Sequence, residues 1–243
     1  MDHPHYLSPM LDCISVENMR RSDALTIERY VPSLELMGRA ARGVYLACRW
    51  KGPVAIVAGS GNNGGDGFAL ACILQENDID CTVFTLSHRL SADSTFYAQK
   101  ARDMGVKIIP FTEQCLQDFP TVVDCLLGTG FQGDLRESYR AAIAAINESR
   151  AFVVSVDINS GMNGDTGEGS LIVRSHLTVT IGYVKRGLLT EQAGRHMERL
   201  VCTDIGILLE KEEWKICKQG EHLAEDCLPC PPWLEMQVID AKI

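Results

Sequence analysis

The sequence has no excess of basic residues. Its composition is otherwise that of an ordinary globular protein. Its 23 Lys and Arg are outnumbered by 32 Asp and Glu, which gives a formal net charge of -9. A surface that neutralises many phosphates needs the opposite balance, so we expect no nucleic acid partner. A single anionic small molecule is still compatible with this charge, because the N-terminus of a helix binds phosphate through backbone N–H groups.

Signals for membranes or secretion are also missing from the sequence. No apolar run approaches the length of a transmembrane helix. The first residues, MDHPHYLSPMLDCISVENMRR, contain Pro, His and acids early and lack the apolar region of a secretory signal. The ten cysteines are scattered through strand-like and helix-like patterns, as small buried residues in a reducing compartment are. We therefore expect a cytoplasmic protein with no membrane partner.

The sequence does contain a regular alternation of short apolar runs and helical runs. Nearly continuous apolar strands that alternate with helices indicate a parallel sheet covered on both faces. With right-handed crossovers, this predicts an α/β fold: a doubly wound, Rossmann-like sandwich with a mostly parallel central sheet. The predicted strands are residues 53–59, 80–86, 106–111, 121–128, 151–158, 176–182 and 199–207, and the predicted helices are residues 15–30, 33–50, 66–76, 92–104 and 135–149.

A change of composition sets the predicted domain boundary. The alternation stops after Ile207, and the rest of the chain is charged and then contains Pro and Cys. We predict one main domain over residues 1–209 and a C-terminal tail or linker over residues 210–243.

Four residues of this tail have the spacing C-x4-H-x4-C-x2-C: Cys217, His222, Cys227 and Cys230. Thiolates and an imidazole at short spacing could form a small zinc site. Reduced, incidental thiols are the default interpretation, because the order of the ligands matches no common zinc module.

The most informative motif is VAIVAGSGNNGGDGFALACIL, residues 54–74. Residues 59–64 match G-x-G-x-x-G between a predicted strand and a predicted helix, a context in which backbone N–H groups bind phosphate. An NAD dehydrogenase also needs an acid about 20 residues further on, at the end of the second strand. That strand ends in TLSHRL, without an acid. An ordinary NAD(P)-dependent oxidoreductase is therefore disfavoured.

The polar residues of this loop suggest a more particular function. Asn62 and Asn63 supply amide oxygens, which suit hard cations and polar ligand groups. Asp66 falls at the predicted start of the helix, where a carboxylate either caps the helix or contacts a ligand.

Two further predicted strands carry acids and are followed by glycine-containing loops. Asp124 lies inside an apolar strand, where a carboxylate requires a partner such as a cation or a cluster of backbone N–H groups. The loop of residues 128–134 after it could bind phosphate. Asp157 ends another strand and is suited to acid–base chemistry or, alternatively, to a simple Asx-turn. Because ligands of such sheets bind at the carboxyl ends of the strands, we expect these loops to converge. Lys185, after a later strand, is either a partner for a phosphate or carboxylate or a surface lysine.

Several motifs together resemble a known family. GSGNNGGDGFALA, DCLLGTGFQGDLR, VDINSGMNGDTG, TVTIGYVKRGLL and DIGI occur in the order and spacing of the YjeF N-terminal domain family, and the resemblance covers residues 14–207. Its enzymatic members are NAD(P)HX epimerases, isomerases that invert C6 of the hydrated nicotinamide ring in NADHX or NADPHX. The resemblance implies a three-layer α/β/α sandwich, a homodimer, and an NAD(P)HX dehydratase that acts on the product.

The resemblance also implies site residues. It implies a potassium ion (K⁺) bound by Asn63, Asp124 and Ser160, an all-oxygen set that suits such a cation. For catalysis we predict Asp157 first and Asp134 second, as a carboxylate that protonates the leaving hydroxyl, stabilises the cation and deprotonates the incoming water. The implied substrate-binding residues are Asn62, Asn63, Gly64, Gly65, Asp66, Gly128, Thr129, Gly130, Phe131, Gln132, Gly133, Asp134 and Asp157.

The sequence departs from the family pattern at two places. Asn159 stands where the family usually has Pro, a change expected to loosen the turn. Gly38 and Arg39 stand where the family usually has Glu-Asn, which weakens the case for a substrate contact from the N-terminal helices. The retained loop and strand-end acids favour an enzyme over the alternative, a non-catalytic nucleotide-binding or scaffold protein on the same fold.

Overall fold

The computed structural model describes residues 11–87, 89–217 and 225–242. The helices are α1 (Val16–Arg29), α2 (Ser33–Ala47), α3 (Asn62–Glu76), α4 (Ala92–Asp103), α5 (Glu137–Glu148) and α6 (Glu191–Gly194), with a 3-10 helix at Arg186–Leu189. The strands are β1 (Leu11–Ile14), β2 (Val54–Ala58), β3 (Cys81–Thr85), β4 (Lys107–Pro110), β5 (Thr121–Cys125), β6 (Phe152–Val156), β7 (Leu177–Ile181), β8 (Val184–Lys185), β9 (Leu200–Asp204), β10 (Trp214–Cys217), β11 (Cys227–Pro229) and β12 (Leu234–Asp240).

The main sheet has eight strands in the order β12-β9-β7-β6-β5-β2-β3-β4. Every neighbouring pair in it is parallel, which confirms the predicted Rossmann-like α/β fold. The chain runs from β2 outward to β4, returns to β5, and then builds toward the opposite edge. The direction of winding therefore reverses between β2 and β5. Ligands of doubly wound sheets bind in the crevice at such a reversal, outside the carboxyl ends of the strands.

The core consists of side chains that alternate between the two faces of this sheet. Ile56 of β2 packs in the cluster that contains α2, α3 and α4, whereas its neighbours Ala55 and Val57 pack in the cluster that contains α5. Successive side chains of a strand point to opposite faces, so each buried strand serves two layers of helices. The three-layer sandwich follows from this alternation. Across the described residues, no helix combines the length and the apolar character needed to cross a bilayer.

Helix α3 begins at Asn62, four residues before the predicted start at Asp66. Gly61 is the residue that precedes the first turn, so the interpretation of Asp66 as a helix cap is wrong. The glycines explain why the helix can start so early. A Cβ atom at Gly64 would lie 2.2 Å from the carbonyl oxygen of Gly59, and one at Gly65 would lie 2.5 Å from the Met37 side chain. Only glycine permits this close packing of the first turn.

The C-terminal segment is part of the fold, which corrects the prediction that residues 210–243 form a tail or linker. β12 pairs in parallel with β9 and extends the main sheet. β10 and β11 join β1 and β8 in a second, four-stranded sheet. β10 and β11 were missed because they are short and only partly buried. β12 has seven residues, but Glu235 and Gln237 interrupt its apolar side chains, so it has no continuous apolar run.

The cysteines of this segment also differ from the prediction. Cys217 and Cys227 form a disulfide, which removes two of the thiolates that a zinc site would need. His222 lies outside the described residues. The eight other cysteines are free, as expected for small buried residues.

Asn159 tightens the chain after β6, contrary to the expected loosening. The side chain is fully buried, and its amide donates to Val173 O, Ser175 Oγ and His196 O at 2.9–3.0 Å. Its amide oxygen accepts a 2.7 Å hydrogen bond from Thr178 Oγ1. One side chain thus ties three segments together, a task that proline, which has no polar side chain, could not perform.

We expect Asn159→Ala to lower the free energy of unfolding by about 2–4 kcal/mol, because it leaves several buried polar groups without partners. Urea denaturation would measure the change. Gln114→Ala, at an exposed position, is the control and should change the value by less than about 0.5 kcal/mol. Equal effects of the two substitutions would contradict this account of Asn159.

Candidate functional site

A cavity of ≈ 700 Å³ opens at the reversal point of the main sheet. Its walls come from the loop after β2, the loop after β5, the end of β6, and helices α1 and α2. The predicted convergence of the strand-end loops is therefore observed. The predicted residues that line the cavity are Asn62, Asn63, Asp66, Gly128, Thr129, Gly130, Phe131, Gln132, Asp134 and Asp157.

The other predicted site residues do not line this cavity. Gly64 and Gly65 are buried in the packing of α3, and Gly133 has a left-handed backbone (φ 86°) in an exposed part of the loop. Asp124 and Ser160 are completely buried, in contact with each other. Asp134 lines the cavity but is an exposed residue.

Asp157 follows directly after β6 and has a left-handed backbone conformation (φ 69°). Few residues other than glycine adopt this conformation, and Asp is among those that tolerate it best. Its N–H still donates to Val179 O of β7 at 2.8 Å, so the backbone stays attached to the sheet. Its Oδ2 accepts a 3.1 Å hydrogen bond from the backbone N–H of Thr129. Asp157 therefore links the end of β6 to the loop after β5.

Lys185 is the buried cation of the site. Its side chain is 1% exposed, and Nζ donates to Asp157 Oδ1 at 2.5 Å. Nζ also donates to Ile181 O at 2.7 Å and to Thr180 Oγ1 at 3.2 Å. All three protons of the ammonium group have acceptors, as a buried charge requires. Of the two interpretations of Lys185, the partner of a carboxylate is therefore correct and the surface lysine is wrong.

Two further carboxyl groups, Asp66 and Asp23, line the same cavity. Burial, together with the negative charges of Asp157 and Asp23, raises the pKa of Asp66 well above its usual 3.8. Burial also raises the pKa of Asp23; Lys185 opposes this rise and Asp157 adds to it. The site therefore combines an ion pair with neighbouring carboxyl groups that hold protons more tightly than usual. Environments that differ in this way separate an acid from a base.

Sequence reasoning missed Asp23. It lies on α1 between Met19 and Ile27, at four-residue spacing, and all three residues line the cavity. A carboxylate in the middle of a helical stripe whose other members are apolar is the signal that could have identified it.

Asp124 lies beneath the cavity and has its partners within the protein. Its carboxylate accepts hydrogen bonds from Ser160 N (2.9 Å), Ser160 Oγ (2.5 Å), Ser155 Oγ (3.0 Å) and Leu126 N (3.2 Å). Burial raises the pKa of Asp124, and the hydrogen bonds from Ser160 oppose that rise. The expected partner is thus a set of N–H and hydroxyl donors.

Asn63 is the polar residue with unused bonding capacity. It is 6% exposed, and within the described chain neither its amide oxygen nor its amide nitrogen has a hydrogen-bond partner. It lies against Gly128, next to Leu127, whose N–H donates to Ser160 Oγ at 2.9 Å. Buried amides without partners are rare, and a bound ion or ligand is one explanation. Among the described residues, no group of three or more His, Cys, Asp or Glu is arranged so that it could hold a metal ion.

Comparison with known proteins identifies the family. Residues 33–187 match the family described as YjeF-related protein N-terminus. The chain belongs to this family. It is 35% identical over 199 residues to the NAD(P)H-hydrate epimerase of Limosilactobacillus fermentum, across 79% of this chain and 95% of that protein. It is also 34% identical over 207 residues to the NAD(P)H-hydrate epimerase of Lentilactobacillus buchneri, across 82% of this chain and 96% of that protein.

A longer relative and a solved structure give two further comparisons with this YjeF-related chain. The bifunctional NAD(P)H-hydrate repair enzyme Nnr of Coxiella burnetii is 34% identical over 196 residues, which span 78% of this chain but 40% of that protein. The crystal structure of yeast ynu0 (YNL200c) superposes with a TM-score of 0.70 at 19% identity, across 89% of this chain and 98% of that one. At this identity the likeness shows a shared fold.

The raised pKa of Asp66 predicts a pH-dependent stability. Between its usual 3.8 and the higher value of the folded protein, the folded state holds a proton that the unfolded state has lost. Stability therefore falls as pH rises through this window. We expect Asp66→Asn to remove this fall, so that the variant gains stability over the wild type from pH 4 to pH 8. Urea denaturation across that range tests it, and parallel curves for the two proteins would contradict it.

Proposed function

We propose that this chain is an NAD(P)H-hydrate epimerase, an isomerase that interconverts the (R) and (S) forms of NADHX and NADPHX at C6 of the nicotinamide ring. The observation that carries the proposal is the Lys185–Asp157 ion pair in a dinucleotide-sized cavity that Asp66, a carboxyl with a raised pKa, also lines. Family membership and the epimerases that this chain covers almost completely support it. Ligand cavities in proteins have roughly 300–1,000 Å³, a range that includes this one.

The loops after β2 and β5 are suited to the diphosphate of the substrate. Asn62 starts α3, a helix of 15 residues whose first N–H groups face the loop end of the sheet. Helix N-termini bind phosphate through such groups without needing Lys or Arg. The loop of residues 128–134 adds backbone N–H groups on the other side. With the diphosphate there, the hydrated ring is free to reach Asp157 and Asp66.

The reaction requires one C–O bond to break and to form again on the other face of the ring. As the bond breaks, its electron pair leaves with the hydroxyl, and the lone pair of the ring nitrogen forms an iminium cation. The carboxyl of Asp66 supplies the proton that makes water the leaving group. The carboxylate of Asp157 stabilises the cation and takes a proton from the water that adds to the opposite face. In the reverse direction the two groups exchange roles.

Lys185 keeps Asp157 in position for this work. The ammonium group fixes one carboxylate oxygen, and the Thr129 N–H fixes the other. An oriented carboxylate needs little rearrangement as positive charge develops on the ring. Asp134 remains the second candidate for the acid–base role, because it lines the same cavity.

A potassium ion would be held by Asn63, Asp124 and Ser160. The unpartnered amide of Asn63 fits this proposal, and all three residues offer oxygen atoms. The four donors already around Asp124 mean that some of them would have to turn away. When bound, the cation would neutralise phosphate charge and hold the two loops together.

We expect Asp157→Asn to reduce the rate of epimerisation by at least about 100-fold, because it removes the carboxylate that stabilises the cation. The measurement follows (R)-hydrated NADH by NMR at C6, or through a dehydratase specific for the (S) form. Asp80→Asn, at an exposed position before β3, is the control. A larger loss for Asp134→Asn would reverse the assignment, and binding of hydrated NADH without turnover in the wild type would favour the non-catalytic alternative.

We expect Asn63→Ala to raise the K⁺ concentration that gives half of the full stabilisation by roughly 10-fold, since one good ligand contributes about 1.4 kcal/mol or more to binding. A titration of the melting temperature with KCl against NaCl measures this without turnover. Asn62→Ala, at an exposed position, is the matched control. A melting temperature that responds equally to both salts would contradict the potassium site.

Three expectations about the surroundings of the enzyme stay predictions. They are a homodimer, an NAD(P)HX dehydratase that consumes the product, and a cytoplasmic location. The Coxiella burnetii relative is named as a bifunctional repair enzyme, and this chain spans 40% of its length. An (S)-specific dehydratase added in trans, together with a measurement of molecular mass by light scattering, would test the first two.

A further inference from the structure

Helix α1 is attached to the protein through a line of polar residues. Asn18, Ser22 and Thr26 follow one another at four-residue spacing, and all three are buried. Residues at this spacing lie on one face of a helix. Two of their hydrogen bonds lie within the helix, from Thr26 Oγ1 to Ser22 O at 2.7 Å and from Ser22 Oγ to Asn18 Oδ1 at 3.3 Å. Their other partners lie in residues 208–213, which we call the α1 strap.

The strap runs antiparallel to α1 and pairs with it along nearly the whole helix. Leu208 N donates to Thr26 Oγ1 at 2.9 Å, and Glu210 N donates to Ser22 Oγ at 2.9 Å. Towards the start of the helix, Asn18 Nδ2 donates to Lys211 O at 2.6 Å.

The same register continues to the N-terminal end of α1. Glu213 accepts hydrogen bonds from Ser15 N at 2.6 Å and from Ser15 Oγ at 3.1 Å. Ser15 is the residue that caps α1, and its hydroxyl also accepts from Asn18 N. The strap therefore bonds to α1 from its N-terminal cap to its last turn.

The neighbouring face of α1 lines the cavity. Met19, Asp23 and Ile27 each follow a strap-bonded residue by one position, and all three are cavity residues. Within the described chain, no other helix or strand packs extensively along the α1 backbone. Other contacts of α1 are local: Met19 packs in the core, and Val16 N donates to Asp165 Oδ1 at 2.8 Å. The strap is the segment that bonds to α1 at several points along its length.

We infer that Ser22 and Thr26 are positioning residues for substrate binding: through the strap they hold α1 so that Met19, Asp23 and Ile27 form one wall of the cavity that also contains the Lys185–Asp157 pair. This inference rests on the proposed function, which places the hydrated dinucleotide in that cavity. The hydroxyl groups themselves face the strap and do not touch the substrate. The C-terminal segment, through the strap, is thereby a determinant of substrate affinity.

The test compares Thr26→Val with Thr26→Ser. Valine keeps the shape of threonine but cannot accept the Leu208 N–H, whereas serine retains the hydroxyl. We expect Thr26→Val to speed hydrogen exchange of the α1 amides at least threefold. We also expect it to raise KM for hydrated NADH at least threefold while kcat stays within twofold. Thr26→Ser should keep the exchange rate of α1 and KM close to the wild-type values. Thr95→Val is the matched control, because Thr95 makes the same kind of bond within its helix but is exposed.

Each outcome decides the inference. Unchanged exchange in α1 would show that the strap does not hold the helix, and faster exchange with unchanged KM would show that the helix does not position the substrate. If Thr26→Val does not fold, Ser22→Ala removes the neighbouring acceptor and is read in the same way. A calorimetric Kd for hydrated NADH is measured beside KM. If the wild type binds hydrated NADH without turnover, the epimerase proposal is contradicted, and the Kd values of the variants still test the strap. If the wild type neither binds nor turns over hydrated NADH, the epimerase proposal and the inference about the strap are both contradicted.

Discussion

The buried ion pair between Lys185 and Asp157 is the interaction on which the site depends. Two charges removed from water are stable together only if their remaining bonding capacity is satisfied, and here a hydroxyl, a carbonyl and a backbone N–H complete the set. The pair also joins the two sheets. Asp157 directly follows β6 of the main sheet, whereas Lys185 belongs to β8 of the second sheet, where it is in register with Ile14 of β1. Because β1 leads directly into α1, the pair fixes the floor of the cavity and the start of its wall at once.

The carboxyl groups around this pair receive different environments from one fold. Asp157 has a cation and an N–H group to balance its charge, while Asp66 has burial and two negative neighbours to oppose ionisation. No difference in residue type is needed to produce an acid and a base in the same cavity. Position along the sheet is sufficient: one carboxyl group comes from the first helix after β2 and the other from the end of β6.

The part of the fold that could be predicted is the part whose residues are buried on both sides. The central strands are almost entirely apolar, so the alternation of strands and helices along the chain could be predicted from the sequence. β10 and β11 are short and half-buried, and β10 pairs with β1 near the opposite end of the chain. β12 is longer, but polar residues interrupt its apolar ones, so no continuous apolar run indicates its pairing with β9. The site residues divide in the same way into those that a local pattern predicts and those that it does not. Asp157 and Asp124 follow from their strands, whereas Asp23 enters the cavity only through the tertiary placement of α1. The role of Asn159 depended on three segments that no local pattern brings together.

The position of β12 has a consequence for the edges of the main sheet. An uncovered edge strand presents free N–H and C=O groups to which another chain can add. β12 covers β9 with a strand from the same chain, which leaves β4 as the other edge strand in the described part of the sheet. β4 has four residues, begins with a lysine and ends with a proline, and these are features that hinder strand addition. On the opposite side β12 takes the place of β9 as the edge strand, and the register shift between its residues Leu234 and Val238 makes that edge irregular, which hinders the addition of another strand.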